Sequence, residues 1–322
     1  MRKHNQGFTL IELMISLVIL GLASTVMVTL TKQSQGMWQR ANTERQHEAN
    51  RMVGEALKEL TRKSSTGDLP APYTGNGYVS APYNPSETGD RDVFLGQGLS
   101  NTLINTDGTP AENRRVYQRV TGLTRDVPVS GLAGDTVTLS YGVGVVYSTD
   151  CPLSKSNCFT SGVPGSSSQL TASNLSTWDP KGNDIRPVWI STFPFQQNLL
   201  AETMARVNSL IGKEREHFQQ AVLAAGAGQS GNVHATPNSG APSIAGGGCH
   251  GGWYNLSLSN VNVLNQLGLT SKYGTTAWGH PIEYCRDYDP INAGANKAPH
   301  SAAVRFKKNL STGVGSYVVI SY

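Results

Sequence analysis

Between Phe8 and Leu30 the chain holds one ionisable residue, Glu12, and no proline. As a helix rising ~1.5 Å per residue, this run reaches roughly 35 Å, enough to cross a hydrocarbon core of ~30 Å. A secretory signal has the same basic start, here Arg2 and Lys3, but its apolar core spans only ~7–15 residues and ends in a small-residue cleavage site. This run is longer and lacks that end. A carboxylate inside a bilayer costs on the order of 2.5–3.5 kcal/mol even on the mildest insertion scale. Glu12 therefore needs a counter-charge, and because its own helix offers none, that charge is sought on another chain.

The residues around the acid, Gly7-Phe8-Thr9-Leu10-Ile11-Glu12, resemble the type III signal of type IV prepilins and type II secretion pseudopilins. The resemblance covers residues 1 to about 60. It implies that residues 1–7 are a leader, that a prepilin peptidase cuts between Gly7 and Phe8, and that the new amino terminus on Phe8 is methylated. It also implies that Glu12, fifth in the mature chain, meets the terminal amine of a neighbouring subunit during assembly. The physics agrees, because a buried carboxylate and a buried ammonium are each costly alone and far less so together.

Composition suits a loop-rich exported protein with β content, having 38% hydrophobic residues, 35 glycines and only 15% charged residues. A net charge of +4 with no basic stripe interleaved with aromatics gives nucleic-acid binding no support. The positive-inside rule applied to Arg2 and Lys3 puts the leader in the cytoplasm and the bulk of the chain outside. The four cysteines, Cys151, Cys158, Cys249 and Cys285, are an even set compatible with two disulfides in that oxidising compartment.

Past Leu30 the helix is expected to continue to about residue 65, with Val53, Ala56, Leu57 and Leu60 forming a narrow apolar face opposite many charges. Gly36 and Gly54 are its expected bend points. Gly67 and Pro70 then stop it. Residues 66–223 read as a globular head. Its first part, 71–112, is rich in turn formers and reads as a connecting loop. Strands follow over 116–120, 136–141 and 143–147, with Gly142 and Gly144 marking a bulge or tight bend. Cys151 and Cys158 bracket a polar interval that suits a disulfide-closed loop better than a zinc site. Residues 161–184 read as loop. A second helix is expected over 195–223, where apolar residues recur at three and four.

Residues 224–248, mostly Ala, Gly, Ser, Asn and Pro, have linker chemistry. They set off a small module, 249–322, with a short helix over 256–267 and strands over 302–306 and 316–320. Cys249 and Cys285 flank that helix, and a bond between them would close a module whose core is too thin to be secure alone. Within it, Trp278-Gly-His-Pro-Ile-Glu-Tyr284 resembles the Trp-Gly-x-Pro-x-x-Tyr turn and strand of major pseudopilins and some pilins.

Cys249, His250, His280, Cys285 and His300 offer ligands of zinc softness, but a disulfide with surface histidines is the preferred reading. Asp287 and Asp289 are weak calcium candidates without a further ligand set. The Gly-x-Ser-x-Gly elbow is missing and the glycine runs lack the strand and helix a phosphate cradle needs. No cofactor or catalytic set is therefore assigned, and the chain is not read as an enzyme.

The expected fold is α+β and pilin-like. A long transmembrane and spine helix packs on an antiparallel β-sheet head, followed by a small disulfide-bonded α+β module. The expected role is a minor or tip-located subunit of a type IV pilus, carried first in the bacterial inner membrane, that presents its head to a surface or glycan. A type II secretion pseudopilin is the alternative, and a membrane-tethered binding protein or hydrolase a further one.

Overall fold

The computed structural model describes residues 10–64, 67–74, 81–82, 88–99, 115–129, 136–148, 159–160, 163–164, 169–179, 185–225, 233–291 and 301–322, and for Leu10, Glu12, Phe159, Thr160, Val163 and Pro164 the backbone only. Cys151, Cys158, Gly7 and Phe8 lie outside these residues.

Helix α1 spans Leu10–Lys63, 54 residues, or about 80 Å. Its two halves have different surroundings. From Ile11 to Leu30 the large apolar side chains are exposed throughout. From Ala49 onward a stripe of Ala49, Val53, Ala56 and Leu57 is buried, at the spacing that brings residues onto one helix face. The stripe packs on Leu69, Tyr117, Val146, Ile190 and the short helix α2, Thr88–Gly96, through Phe94. Helix α2 thus lies inside the stretch expected as a connecting loop. The spine runs unbroken through Gly36 and Gly54. Gly54 serves close packing, since a Cβ there would meet Val188 Cγ1 at 3.2 Å. The helix ends as expected, with the Ser64 N–H donating to Leu60 O and Thr61 O. Gly67 follows in the left-handed region (φ +67°), where a Cβ would meet the Phe195 ring at 2.5 Å.

Strands β1 (Val116–Pro128) and β2 (Thr136–Tyr147) form a long antiparallel pair. The two strands expected over 136–147 are one. The irregularity falls on the other strand, opposite Gly142 and not at Gly144, which pairs in register with Arg119: register shifts between Val120 and Leu123 of β1, where Gly122 takes φ +75°. Gly144 makes room for a ring instead, because a Cβ there would stand 2.9 Å from Tyr117. Side chains alternate across β2 as pleating requires. Val146 faces α1, while Val145 and Tyr147 pack on Leu170 and Trp178. A two-residue ladder joins β3 (Phe159–Thr160) and β4 (Val163–Pro164). Strand β5, Val188–Ser191, then pairs with β2 and leads into helix α3, Phe193–Ala225.

The rest of the chain adds β6 (Ser243–Gly246), β7 (Cys249–Asn255), β8 (Glu283–Tyr288), β9 (Ser301–Asn309) and β10 (Val314–Ser321). The sheet order is β1-β2-β9-β8-β7-β6, with β10 on β9 and β5 on β2. Two antiparallel halves thus meet at a single parallel pair, Thr138 with Asn309. A ladder that short cannot hold the halves together, and α3 does so. Its Leu200, Met204, Val207, Leu210 and Ile211 share one core with Val137 and Leu139 of β2 and with Tyr284, Val304 and Phe306 of the far half.

This core crosses the stretch expected as linker. Residues 233–248 of that stretch are built into the fold, with Ala235 fully buried and β6 in the sheet. The expected helix over 256–267 shrinks to α4, Val263–Gln266. Asn255 Oδ1 accepts from the backbone N–H and hydroxyl of Ser257, a local turn that competes with helix. Asn262 then sits at φ 59°, a left-handed residue that starts the helix late.

Candidate functional site: the exposed spine and the ties that hold the head

The uncovered half of α1 is a helix long and apolar enough to cross a membrane, and none of its most apolar window is buried. Three of its hydroxyl residues are satisfied within the helix. Ser24, Thr25 and Thr29 each donate a hydroxyl proton to a carbonyl one turn earlier, which removes the cost that free hydroxyls carry in hydrocarbon. Glu12 lies in the first turn of the described helix. Gly7 and Phe8 precede it, outside the described residues.

The head is tied to α3 at two points by the Trp278–Tyr284 motif. Near the start of α3, the Trp278 indole N–H donates to Gln196 Oε1 at 2.8 Å, and Gln196 Nε2 donates onward to Gly67 O at 3.2 Å. That chain of bonds runs from the C-terminal half of the sheet to the end of α1. Near the far end of α3, the Tyr284 hydroxyl lies 3.1 Å from Glu214 Oε1 and 3.0 Å from Ala235 O. Glu214 is wholly buried, and its Oε1 also accepts from the Ala235 N–H at 3.1 Å and faces His234 Nδ1 at 3.0 Å. Oε2 has no hydrogen-bond partner among the described residues. Burial, then the neighbouring Glu214, pushes the Tyr284 phenol well above its ordinary range. Burial followed by Glu214 also raises Tyr322. Both phenols are held in the neutral form, and of the two it is Tyr284 that hydrogen-bonds at the acid.

Neither Gln196 nor Glu214 was singled out in the sequence. A signal for Glu214 was there, since it falls three residues after Ile211 and four after Leu210, on the apolar stripe of α3. A charged residue on such a stripe has to be bonded inside the core.

Cys249 and Cys285 form a disulfide linking β7 to β8, so neither is a thiolate open to zinc. His280 Nε2 lies 3.2 Å from Ser311 O. His300 lies outside the described residues. Asp287 Oδ2 accepts from Arg286 Nε and Nη2, and Asp289 Oδ1 accepts from the Ile291 N–H. Among the described residues no three His, Cys, Asp or Glu side chains cluster in a metal-holding arrangement. Beside the disulfide, the Arg305 guanidinium is held between Trp253 (4.3 Å) and Tyr317 (3.8 Å) and bonds Glu283 Oε2 at 2.5 Å. This is a stacked and paired cation inside the core, of the kind guanidinium geometry favours.

An uncovered apolar half-helix continuous with a spine buried in an α+β head fits the pilin-like α+β description. Residues 2–28 match the family model for the prokaryotic N-terminal methylation motif, which with the long apolar helix supports the type IV pilin and pseudopilin family and a structural role assembled with other such subunits. Searches of curated proteins and of solved structures returned no match.

Proposed function

We propose that this chain is a minor or tip-located structural subunit of a type IV pilus rather than an enzyme. One observation carries the reading: the large apolar side chains of residues 11–30 are exposed, and all but the last two of these residues lie within the methylation motif at residues 2–28. Before assembly the subunit sits once through the inner membrane with its C-terminus outside. Prepilin peptidase cuts between Gly7 and Phe8, and the Phe8 amine is methylated. The helix then leaves lipid for a bundle of like helices, where Glu12 of one subunit takes the Phe8 amine of a neighbour. The size of the head supports a sparse or terminal place, because so bulky a head works against dense helical packing along a fibre.

The Trp278–Tyr284 motif favours a second reading, a pseudopilin of a type II secretion machine. Locating the protein in sheared surface fibres supports the pilus, while deletion that abolishes secretion and spares fibres supports the pseudopilin. Mass spectrometry of the mature terminus tests both, since an intact Met1 would exclude the filament route and leave a tethered binding protein or hydrolase. Glu12→Ala should leave processing intact and lower incorporation into filaments, because an amine would be left unpaired in the apolar bundle. Normal fibre yield from that variant would refute the pairing.

A further inference from the structure

Between the apolar run of α1 and the head lies a bare neck. The head first meets α1 at Gln46, which accepts from the Arg115 guanidinium, and at His47, whose Nδ1 lies 3.1 Å from Arg186 O. Nearer the apolar run, Met37 and Trp38 are 67% and 76% exposed, and the Trp38 indole N–H makes no hydrogen bond among the described residues. We infer that Trp38 is an interfacial anchor. Before assembly its indole lies in the lipid headgroup layer at the outer face of the membrane, and together with Glu12 at the inner face it sets the depth at which the unassembled subunit is held.

Spacing along the helix supports this placement. Trp38 stands roughly 39 Å along α1 from Glu12, close to the ~40–45 Å of a bilayer with both headgroup layers. An acid without a counter-charge is least costly at the edge of the hydrocarbon. With Glu12 there, a core of ~30 Å takes about 20 residues, Leu13 to Lys32, and the Trp38 backbone lies roughly 9 Å beyond its outer edge. Long side chains on a helix point back toward its N-terminus, so the indole reaches down from that height into the headgroups. Tryptophan suits that layer, with an apolar body and one N–H for a wet acceptor. Lys32 and Arg40 flank it in the sequence. Neither forms an ion pair among the described residues, and both offer donors to lipid phosphates.

Two other covers fit less well. The head begins at Gln46, roughly 12 Å further along the helix. A neighbouring helix packs on apolar residues that recur at three and four, but the positions three and four from Trp38 hold Ser34, Gln35, Ala41 and Asn42. No apolar seam runs through Trp38, whereas a headgroup layer surrounds the helix and needs none.

The inference rests on the proposed stage in the inner membrane, and its failure is distinguishable from the failure of that reading. Full-length protein is reconstituted into vesicles of equal parts phosphatidylcholine and phosphatidylglycerol, spin-labelled on the headgroup or at the acyl-chain end. Subtracting the emission of a Trp38→Phe variant isolates Trp38 from the other tryptophans. The headgroup label should quench it at least twofold more than the chain-end label, and dilution with more lipid of the same label content should leave that ratio unchanged. Inserting four alanines between Gln33 and Ser34 lifts Trp38 by ~6 Å and should cut headgroup quenching at least twofold. Stronger quenching by the chain-end label, quenching by neither, quenching unchanged by the insertion, or quenching that appears only on dilution, as when a second copy covers the indole, would overturn the anchor. Protein that floats with the vesicles while giving one of those results keeps the membrane reading, and protein that fails to float loses both.

Discussion

Replacing Glu214 with alanine removes the acceptor on which His234, Ala235 and Tyr284 converge. The Tyr284 hydroxyl keeps Ala235 O as an acceptor, so its share of the loss is small. The Ala235 N–H belongs to a fully buried residue and loses its bond, which costs about 1–3 kcal/mol. The His234 contact adds about 1 kcal/mol, and the space left by the missing side-chain atoms about 1–2 kcal/mol. Relief of the buried carboxylate's own desolvation offsets part of this, for a net loss of about 3 kcal/mol. At ~2–4 °C per kcal/mol for a head of this size, the midpoint should fall by about 6–12 °C. Thermal and urea unfolding of the full chain in detergent, followed by near-ultraviolet circular dichroism, measures it. Tyr284→Phe alone should cost about 1 kcal/mol, and the double variant should depart from additivity by at least about 0.5 kcal/mol because the residues share one network. A Glu214→Ala loss below about 1 kcal/mol, or strict additivity with Tyr284→Phe, would refute the view that this acid ties α3 to the C-terminal half of the sheet.

Other expectations follow from the same geometry. Cys249 and Cys285 are 36 residues apart, so a Cys249→Ser/Cys285→Ser variant should lose about 4 kcal/mol on loop-entropy grounds, read as a lower urea midpoint. Leu57→Ala, at a fully buried position where α1 meets the head, should cost about 2–5 kcal/mol and open the spine to limited proteolysis. Cleavage no faster than in the parent would count against that packing. Alkali should unfold the head through its tyrosines. Burial pushes Tyr147 up to about 12 and also raises Tyr117, above the ~10 of an unfolded chain. The folded state therefore holds protons that the unfolded chain releases, and stability is intact below pH ~10. It should fall by roughly 1.4 kcal/mol per tyrosine per pH unit as pH climbs toward 12. A flat profile between pH 10 and 12 would contradict their burial.

Helix α3 and the C-terminal strands were legible because their patterns are local: apolar residues recur every three or four in one, and β-branched runs lie between turn formers in the others. Positions whose role depends on a distant partner were not. Gly54, Gly142 and Gly144 read as bends or bulges from composition, while their use is set by Val188, Val120 and Tyr117 lying against them. Residues 233–248 have linker composition, yet small residues also permit close packing beneath a helix, and no local signal separates the two uses. Asn255 and Asn262 shortened a helix that apolar spacing alone extends, because side-chain hydrogen bonding and a left-handed residue outweigh periodicity over so few residues.

The amino-terminal motif, the membrane-length helix and the α+β class were set by residue order alone, since hydrophobicity, helical period and a lone intramembrane acid act along the chain and need no partner in this molecule. Tertiary structure decided that Cys249 joins Cys285, that α3 spans a seam held by a short parallel pairing, that Glu214 lies in the core, and that Trp189 packs on Trp178. Each depends on contacts between segments far apart in the chain, and such contacts form only where burial of one shared core repays the entropy of bringing those segments together.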